Sequence, residues 1–574
     1  MNAVVYGYLN IDGSITDENQ PKISKEAFAV IKNKKIEEKE FLEKTTKLNE
    51  NETKTTLIEK RNLFLGSKCQ TFYSADPFVV SRAFMQYIFD EQGNRFIDCI
   101  SNVQHVGHCH PHVVQAIATQ SSLSTCNIRF VSPILGECSK ALINTLHPSL
   151  NTIFYCNSGS EANDLALQLA RDWTGGNDAI VLENAYHGHI TTAAQLSPYK
   201  SEHGANIKRP EWAHIAPTPD VYRGKYRLSD EELNSPEALK NAGELYSKDI
   251  SVLLEELNKN GRKLAAFFAE ALQSCGGQII PPPGYFQSVA KEIHDNGGLM
   301  IVDEVQTGFG RVGDTFWAHQ LFGHGEEEFI PDILTMGKPM GNGYPVSAVV
   351  TRREIADKLC GNAEYFNTYG GNPVSCAASL AVLQVIEKEH LLQHSKQMGI
   401  LFKQKLEILK SKYFCIGDIR GVGMFWGLDL VKCRKTREPA TNLAGKLNYD
   451  FIKKWEQPMY REPSVPPSYN FLQHCRIRGA LVWFDSAGRA ASNHTRAPQI
   501  RQFITVIARQ YNGLAVHRSI LKLRKEYGIL LNADGPFGNV LKFKPPLCFN
   551  SDNLENVIKA LDECLNELIK EEEE

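Results

Sequence analysis

The sequence predicts an α/β fold, a mostly parallel sheet sandwiched by helices, and three observations carry that expectation. From Arg61 onward, short β-branched and apolar runs alternate with helix-like segments. The runs are brief and almost continuously apolar, as strands buried on both faces are. Turns rich in glycine and small residues separate them, and in such sheets functional residues collect where strands end and helices begin.

The strand candidates, in order, are Thr152 to Tyr155, Ala179 to Leu182, Ala265 to Phe268, Leu299 to Val302 and Ile333 to Thr335. Helix-like stretches at 161–172 and 285–296 lie between them. The segment 22–60 is dense in Lys and Glu and poor in aromatics, so it reads as a solvated helix or a flexible extension. At 446–517 the texture breaks into a Pro-, Tyr- and Trp-rich run and then an Arg-rich run without clear periodicity. That stretch reads as an insertion or as sequence foreign to the core fold.

The 574 residues are 42% hydrophobic, 22% charged and 9% aromatic, which leaves ample apolar material for a core and excludes disordered, collagen-like and small disulfide-stapled classes. Sixty-three Lys and Arg against 66 Asp and Glu give a formal charge of -3, so neither a nucleic-acid partner nor a polyanion is expected. The 14 cysteines are scattered singly, without a CxxC pair. The first residues show no basic region followed by an apolar stretch, and no apolar run approaches a membrane span. The expectation is an intracellular, soluble protein with reduced thiols and no readable transit peptide.

Chemistry-bearing residues follow the strands. Asn157-Ser158-Gly159-Ser160-Glu161-Ala162-Asn163 is a small-residue turn opening a helix, where free N–H groups and hydroxyls suit a phosphate, although a plain Ser cap fits as well. Tyr186 and His187, in Asn184-Ala185-Tyr186-His187-Gly188-His189, could stack on a flat heteroaromatic ring. Asp303 closes a buried strand, where it could pair with a protonated ring nitrogen or cap the next turn. Lys338 stands among glycines just after a strand, a candidate Schiff-base lysine whose amine can lose its proton when desolvated. Gly308-Phe309-Gly310-Arg311-Val312-Gly313 matches the dinucleotide pattern, yet it starts too far from the strand to serve that role. His105, His108, His110 and His112 lack the accompanying ligands of a zinc site, so no metal is expected.

Singly these signals are weak, but their order is what a pyridoxal-phosphate site requires. The segments NSGSEAND, AYHGH, DEVQTGFGRVG, GKPMGNG and TYGGNP resemble the class-III aminotransferase signature of fold-type-I pyridoxal-phosphate enzymes. Further segments, including APTPDVYRGKYR, AEALQSCGGQIIPPPGYF and LLNADGPFGNVLKFKPPLCF, resemble the branch of ethanolamine-phosphate and 5-phosphohydroxylysine phospho-lyases, also called alanine–glyoxylate aminotransferase 2-like. The resemblance runs from about residue 57 to the C-terminus, apart from 446–517.

The resemblance implies a large cofactor domain at 111–375 and a smaller α+β domain from both chain ends, 56–110 and 376–574, behind an extension at 1–55. It implies pyridoxal phosphate as cofactor, with Lys338 bonding its aldehyde and Asp303 holding its ring nitrogen protonated. Ser158, Gly159 and Ser160 would bind the cofactor phosphate, Tyr186 would stack with His187 beside it, and Gln306 would contact the phenolic oxygen. Thr368 would reach the neighbouring subunit's cofactor, which implies a homodimer. Where aminotransferases of this family place a carboxylate-gripping arginine, this sequence has Lys542, a point charge without the planar fork. The implied reaction is elimination of phosphate and ammonia from a phosphorylated primary amine. The alternative is a class-III aminotransferase using pyruvate or glyoxylate. Lys542, Arg420 and the Arg223/Lys225/Arg227 cluster are candidates for the leaving phosphate. A mitochondrial-matrix location is compatible with the resemblance.

Overall fold

The computed structural model describes residues 53–73, 76–323, 325, 328–441, 475–477, 480–482 and 523–573. Helix α1, Lys54–Phe64, is capped by Thr53 and buries no residue, in keeping with its polar sequence. A small sheet follows, in which β1 (Arg82–Phe84), β2 (Tyr87–Phe89) and β3 (Arg95–Asp98) pair antiparallel. Its fourth strand comes from the other end of the chain, Ile529–Leu530, parallel to β3.

The central sheet has seven strands, β4 (Thr152–Cys156), β5 (Asp178–Leu182), β6 (Ala213–Ala216), β7 (Leu264–Glu270), β8 (Leu299–Asp303), β9 (Ile333–Met336) and β10 (Ser347–Thr351). Their spatial order is β4-β10-β9-β8-β7-β5-β6. Only β10 runs against its neighbours, and the contiguous parallel pairs place the carboxyl ends of β5, β7, β8 and β9 at one edge. All five expected strands are present.

Both faces of this sheet are covered, which is why its strands carry almost no polar residues. On one face Ile301 and Phe268 pack with Ala162, Leu165, Ala166 and Leu169 of helix α2 (Gly159–Thr174). On the other, Phe267, Met300 and Val302 pack with Tyr285, Phe286, Val289 and Ile293 of α4 (Tyr285–Asp295), beside α3 (Pro236–Lys259). Each of these large side chains contributes about 1.5–3 kcal/mol by leaving water.

Helices α5 (Pro373–Lys388) and α6 (Leu391–Lys412) lead to a second antiparallel sheet. Its order is β11 (Ile416–Val422), β12 (Phe425–Cys433), β14 (Val540–Phe543), β13 (Asn532–Asp534), and α7 (Ser551–Glu573) closes the chain. The stretch expected to be foreign, 446–517, lies outside the described residues apart from a short hairpin, Cys475–Ile477 with Ala480–Val482.

The glycine pattern at 308–313 opens no helix; the chain runs in turns to a short 3-10 segment at Ala318–Leu321. The four histidines diverge to separate partners. His105 bonds the Phe309 carbonyl, His108 Asp98, His110 Glu389 and His112 Gln384.

Candidate active site

The strand ends converge on one cluster of buried polar side chains. Asp303, the last residue of β8, is 4% exposed, and every hydrogen bond it makes is to a buried group. Its Oδ2 accepts from Asn163 Nδ2 at 2.7 Å and lies 2.9 Å from His187 Nδ1, while Oδ1 accepts the Val305 N–H at 2.9 Å. Asn163 also donates to the His187 carbonyl at 2.7 Å, and its own oxygen accepts from Thr335 at 2.6 Å. A buried carboxylate is tolerable because these donors compensate it. The far ring nitrogen of His187, Nε2, is buried without a partner.

The expected positions of Tyr186 and His187 part company. His187 turns inward and tilts against Phe268 with ring centroids 4.6 Å apart. Tyr186 stays half-buried and makes an edge contact with Tyr199 at 6.0 Å. Adjacent residues on an extended loop point to opposite sides, so one can serve the carboxylate while its neighbour offers a face to the pocket.

The turn after β4 behaves as its sequence suggests. Ser158 caps α2 by accepting the Glu161 N–H at 3.3 Å, which starts the helix ahead of the expected boundary. The N–H groups of Gly159 and Ser160, in the first turn, have no partner within the helix and stand at its positive end. Two close approaches bring the other loops onto this turn. A Cβ on Gly337 would sit 3.4 Å from the Gly159 nitrogen, so the chain leading into Lys338 runs along the turn. A Cβ on Gly188, whose φ is +135°, would collide with Ser160 Oγ at 2.4 Å, and the His189 N–H donates to that hydroxyl at 3.1 Å. Lys338 itself begins the 3-10 turn Lys338–Gly341 and is half-buried.

Gln306, three residues beyond Asp303, accepts at Oε1 from Lys544 Nζ at 2.7 Å. Lys544 also donates to Ser274 Oγ at 2.7 Å, and it is buried. Burial, then the charge of Lys542, pushes its ammonium well below the ordinary lysine value, and Lys338 acts in the same direction. Lys542, in β14 two residues earlier, is ion-paired with Asp534, which also accepts from Tyr199 at 3.2 Å. Glu270, opposite Asp303 in the β7–β8 register, accepts the N–H groups of Tyr186 and Ser274, both at 3.2 Å. Burial pushes its carboxyl up to about 7, with His187 opposing and Asp303 reinforcing the shift.

The remaining basic candidates are already committed to partners of their own. Arg420 donates to Asp418, Asp429 and the Gly277 carbonyl, so its charge is already compensated. Arg223 bonds Asp429 and the Arg437 carbonyl. Lys225 pairs with Asp249 at the surface, and Arg227 reaches the Thr436 carbonyl. Thr368 is exposed, next to Asn367, which ties to Asn157 and Glu161.

Asn163, Glu270 and Lys544 were not among the expected site residues. Each carried a faint signal: a polar residue on the buried face of α2, an acid ending an apolar strand, and a second lysine in period two with Lys542. Together the residues suit a phosphorylated pyridine. They offer helix-end donors, an unpartnered buried imidazole nitrogen beside a buried carboxylate, an aromatic face and an amine.

Residues 72–455 match the family model described as Aminotransferase class-III. The chain is 52% identical over 513 residues to "Ethanolamine-phosphate phospho-lyase homolog 1" of Caenorhabditis elegans, covering 89% of this chain and 94% of that protein. It is 39% identical over 520 residues to "Alanine--glyoxylate aminotransferase 2-like" of Drosophila melanogaster, covering 90% and 88%. Among solved structures, a phospholyase from Arthrobacter in complex with phosphoethanolamine superposes with a TM-score of 0.70 at 29% identity, covering 89% of this chain and 99% of that one. A taurine:2-oxoglutarate aminotransferase from Bifidobacterium kashiwanohense, with a TM-score of 0.67 at 22% identity over 90% and 98% of the two chains, shares the fold.

Proposed function

We propose that this chain, which belongs to the class-III aminotransferase family and uses pyridoxal phosphate on a fold-type-I scaffold, is a phospho-lyase acting on a phosphorylated primary amine. The observation that carries the reading is the pair Lys542 and Lys544 at the pocket wall, with the nearby guanidiniums of Arg223 and Arg420 held on Asp429. A lysine ammonium binds a phosphate as a point charge but lacks the planar fork that grips a carboxylate bidentately, so the lysines here weaken the case for an ordinary amino-acid carboxylate site. Similarity to the Caenorhabditis elegans protein and to the Arthrobacter phospholyase supports the same reading.

When bound, pyridoxal phosphate supplies an electrophilic carbon for the substrate amine and a ring that accepts electrons. The phosphate would lie on Ser158, Gly159 and Ser160, the ring against Tyr186, and its phenolic oxygen near Gln306. Asp303, fixed by Asn163 and His187, would hold the ring nitrogen protonated. Lys338 takes a proton from the carbon bearing the nitrogen. The C–O bond on the adjacent carbon then breaks and phosphate leaves with the electron pair. With one water consumed, the products are an aldehyde, ammonia and inorganic phosphate. Phosphoethanolamine and 5-phosphohydroxylysine both present the required amine and neighbouring phosphate.

The active form is a homodimer in this reading, with Thr368 and the 70%-exposed Tyr369 facing the second subunit; light scattering of the purified protein reads its mass directly. Among the described residues no helix is long and apolar enough to cross a membrane. A mitochondrial location, like that of some relatives, is testable by fractionation.

The deciding experiment incubates holoenzyme with each phospho-amine and follows inorganic phosphate. Release from either supports the lyase. Transfer of an amino group to pyruvate without phosphate release would establish the aminotransferase reading, which similarity to the Drosophila melanogaster protein favours.

A further inference from the structure

The cations around the pocket differ in what compensates them. Arg420 has two carboxylates, Arg223 has Asp429, and Lys542 has Asp534. Lys544 is 3% exposed, and its hydrogen-bond partners are neutral, the Ser274 hydroxyl and the Gln306 amide oxygen. No carboxylate lies within ion-pair distance of it among the described residues. An ammonium that is buried, hydrogen-bonded on two sides and without a counterion is costly. It is a site prepared for an anion that arrives with the substrate.

Its position fixes which anion. Lys542 lies in β14 and Lys544 directly follows its end, two residues on, while Phe543 between them is buried in the core. Gln306 joins Lys544 to the segment that follows Asp303, and Lys338 is close enough to act on the charge of Lys544, so the amine stands near the Schiff-base lysine, where the substrate would bond. On the reading that the substrate carries a phosphate, we propose that Lys544 receives the substrate's phosphate group and holds it as it leaves, with Ser274 and Gln306 orienting the amine. Lys542, whose charge Asp534 balances, flanks the site. A dianion in contact with Lys544 restores the charged form that burial and the neighbouring lysines disfavour.

The test uses holoenzyme and inorganic phosphate, followed by calorimetry, with wild type, Lys544→Gln and Lys544→Arg compared. Expected is a loss of phosphate affinity of roughly 10- to 100-fold in Lys544→Gln, the worth of a charged hydrogen bond, and substantial retention in Lys544→Arg. The visible absorbance of the bound cofactor stays at the wild-type level in both. Equal phosphate affinity in wild type and Lys544→Gln would overturn the assignment. A measurement on the unaltered protein stands beside it: phosphate, but not chloride at equal ionic strength, protects Lys544 from an amine-acylating reagent, read by mass spectrometry. Equal labelling in both salts likewise overturns it. Failure of the lyase reading is distinct, since wild type would then release no phosphate from either amine.

Discussion

His187 Nδ1 and Asp303 Oδ2 are 2.9 Å apart in a fully enclosed environment, with Asn163 completing the same oxygen's contacts at 2.7 Å. Three elements meet in this contact, the loop after β5, the end of β8 and the first turns of α2. The carboxylate is thereby fixed in position by donors from two other elements, as a group that must hold a ring nitrogen in register requires.

Asp303→Asn keeps the shape and removes the charge. We expect kcat on a phospho-amine to fall by about 10²-fold or more, within the range seen when a positioned proton-holding group is lost. The visible spectrum of bound cofactor should shift while the thermal midpoint changes little. An unchanged kcat would show that Asp303 is only structural.

Glu270 gives a pH dependence with a definite sign. Its carboxyl rises from 4.5 to about 7 in the folded chain, chiefly through burial. Between those values the folded state holds a proton that the unfolded state has released, so stability falls as pH rises through that window. The full effect is ~3 kcal/mol at most. Glu270→Gln cannot ionise, though it loses one acceptor for the Tyr186 and Ser274 N–H groups. Its stability should therefore change less between pH 5 and 7.5 than that of wild type, whatever its absolute value. Thermal midpoints at the two pH values measure this, and identical pH slopes would remove Glu270 as the cause.

Gly188 at φ +135° is required both by its backbone and by the space it leaves for Ser160. Gly188→Ala should displace Ser160 from the phosphate turn and weaken cofactor binding by about tenfold, the equivalent of one lost hydrogen bond. Spectroscopic titration of the apoprotein with pyridoxal phosphate reads the affinity directly; wild-type affinity would refute the contact.

Arg420 separates structural from substrate roles among the expected basic residues. It is enclosed with Asp418 and Asp429, so Arg420→Ala removes the guanidinium from a partly buried Asp418 and leaves Asp429 to Arg223 and Asn539, and should destabilise the chain by about 3 kcal/mol. A large drop in thermal midpoint with KM close to wild type is expected. A raised KM at unchanged stability would instead place Arg420 on the substrate.

The sequence by itself determined five of the seven strands of the central sheet, because strands covered on both faces must be apolar throughout, and that pattern survives without knowledge of neighbours. It also determined the order of Ser158, Tyr186, Asp303 and Lys338, each at or shortly after the end of a strand, and the family follows from those motifs. Tertiary structure decided what each charge is paired with. Arg420 and Lys544 look alike as cationic letters, yet one meets Asp418 and Asp429 and the other meets only Ser274 and Gln306, contacts spanning up to 270 residues. The inward turn of His187 and the raised carboxyl of Glu270 belong to the same class. Burial and counterions set a charge's chemistry, and both arise only when distant segments close over it.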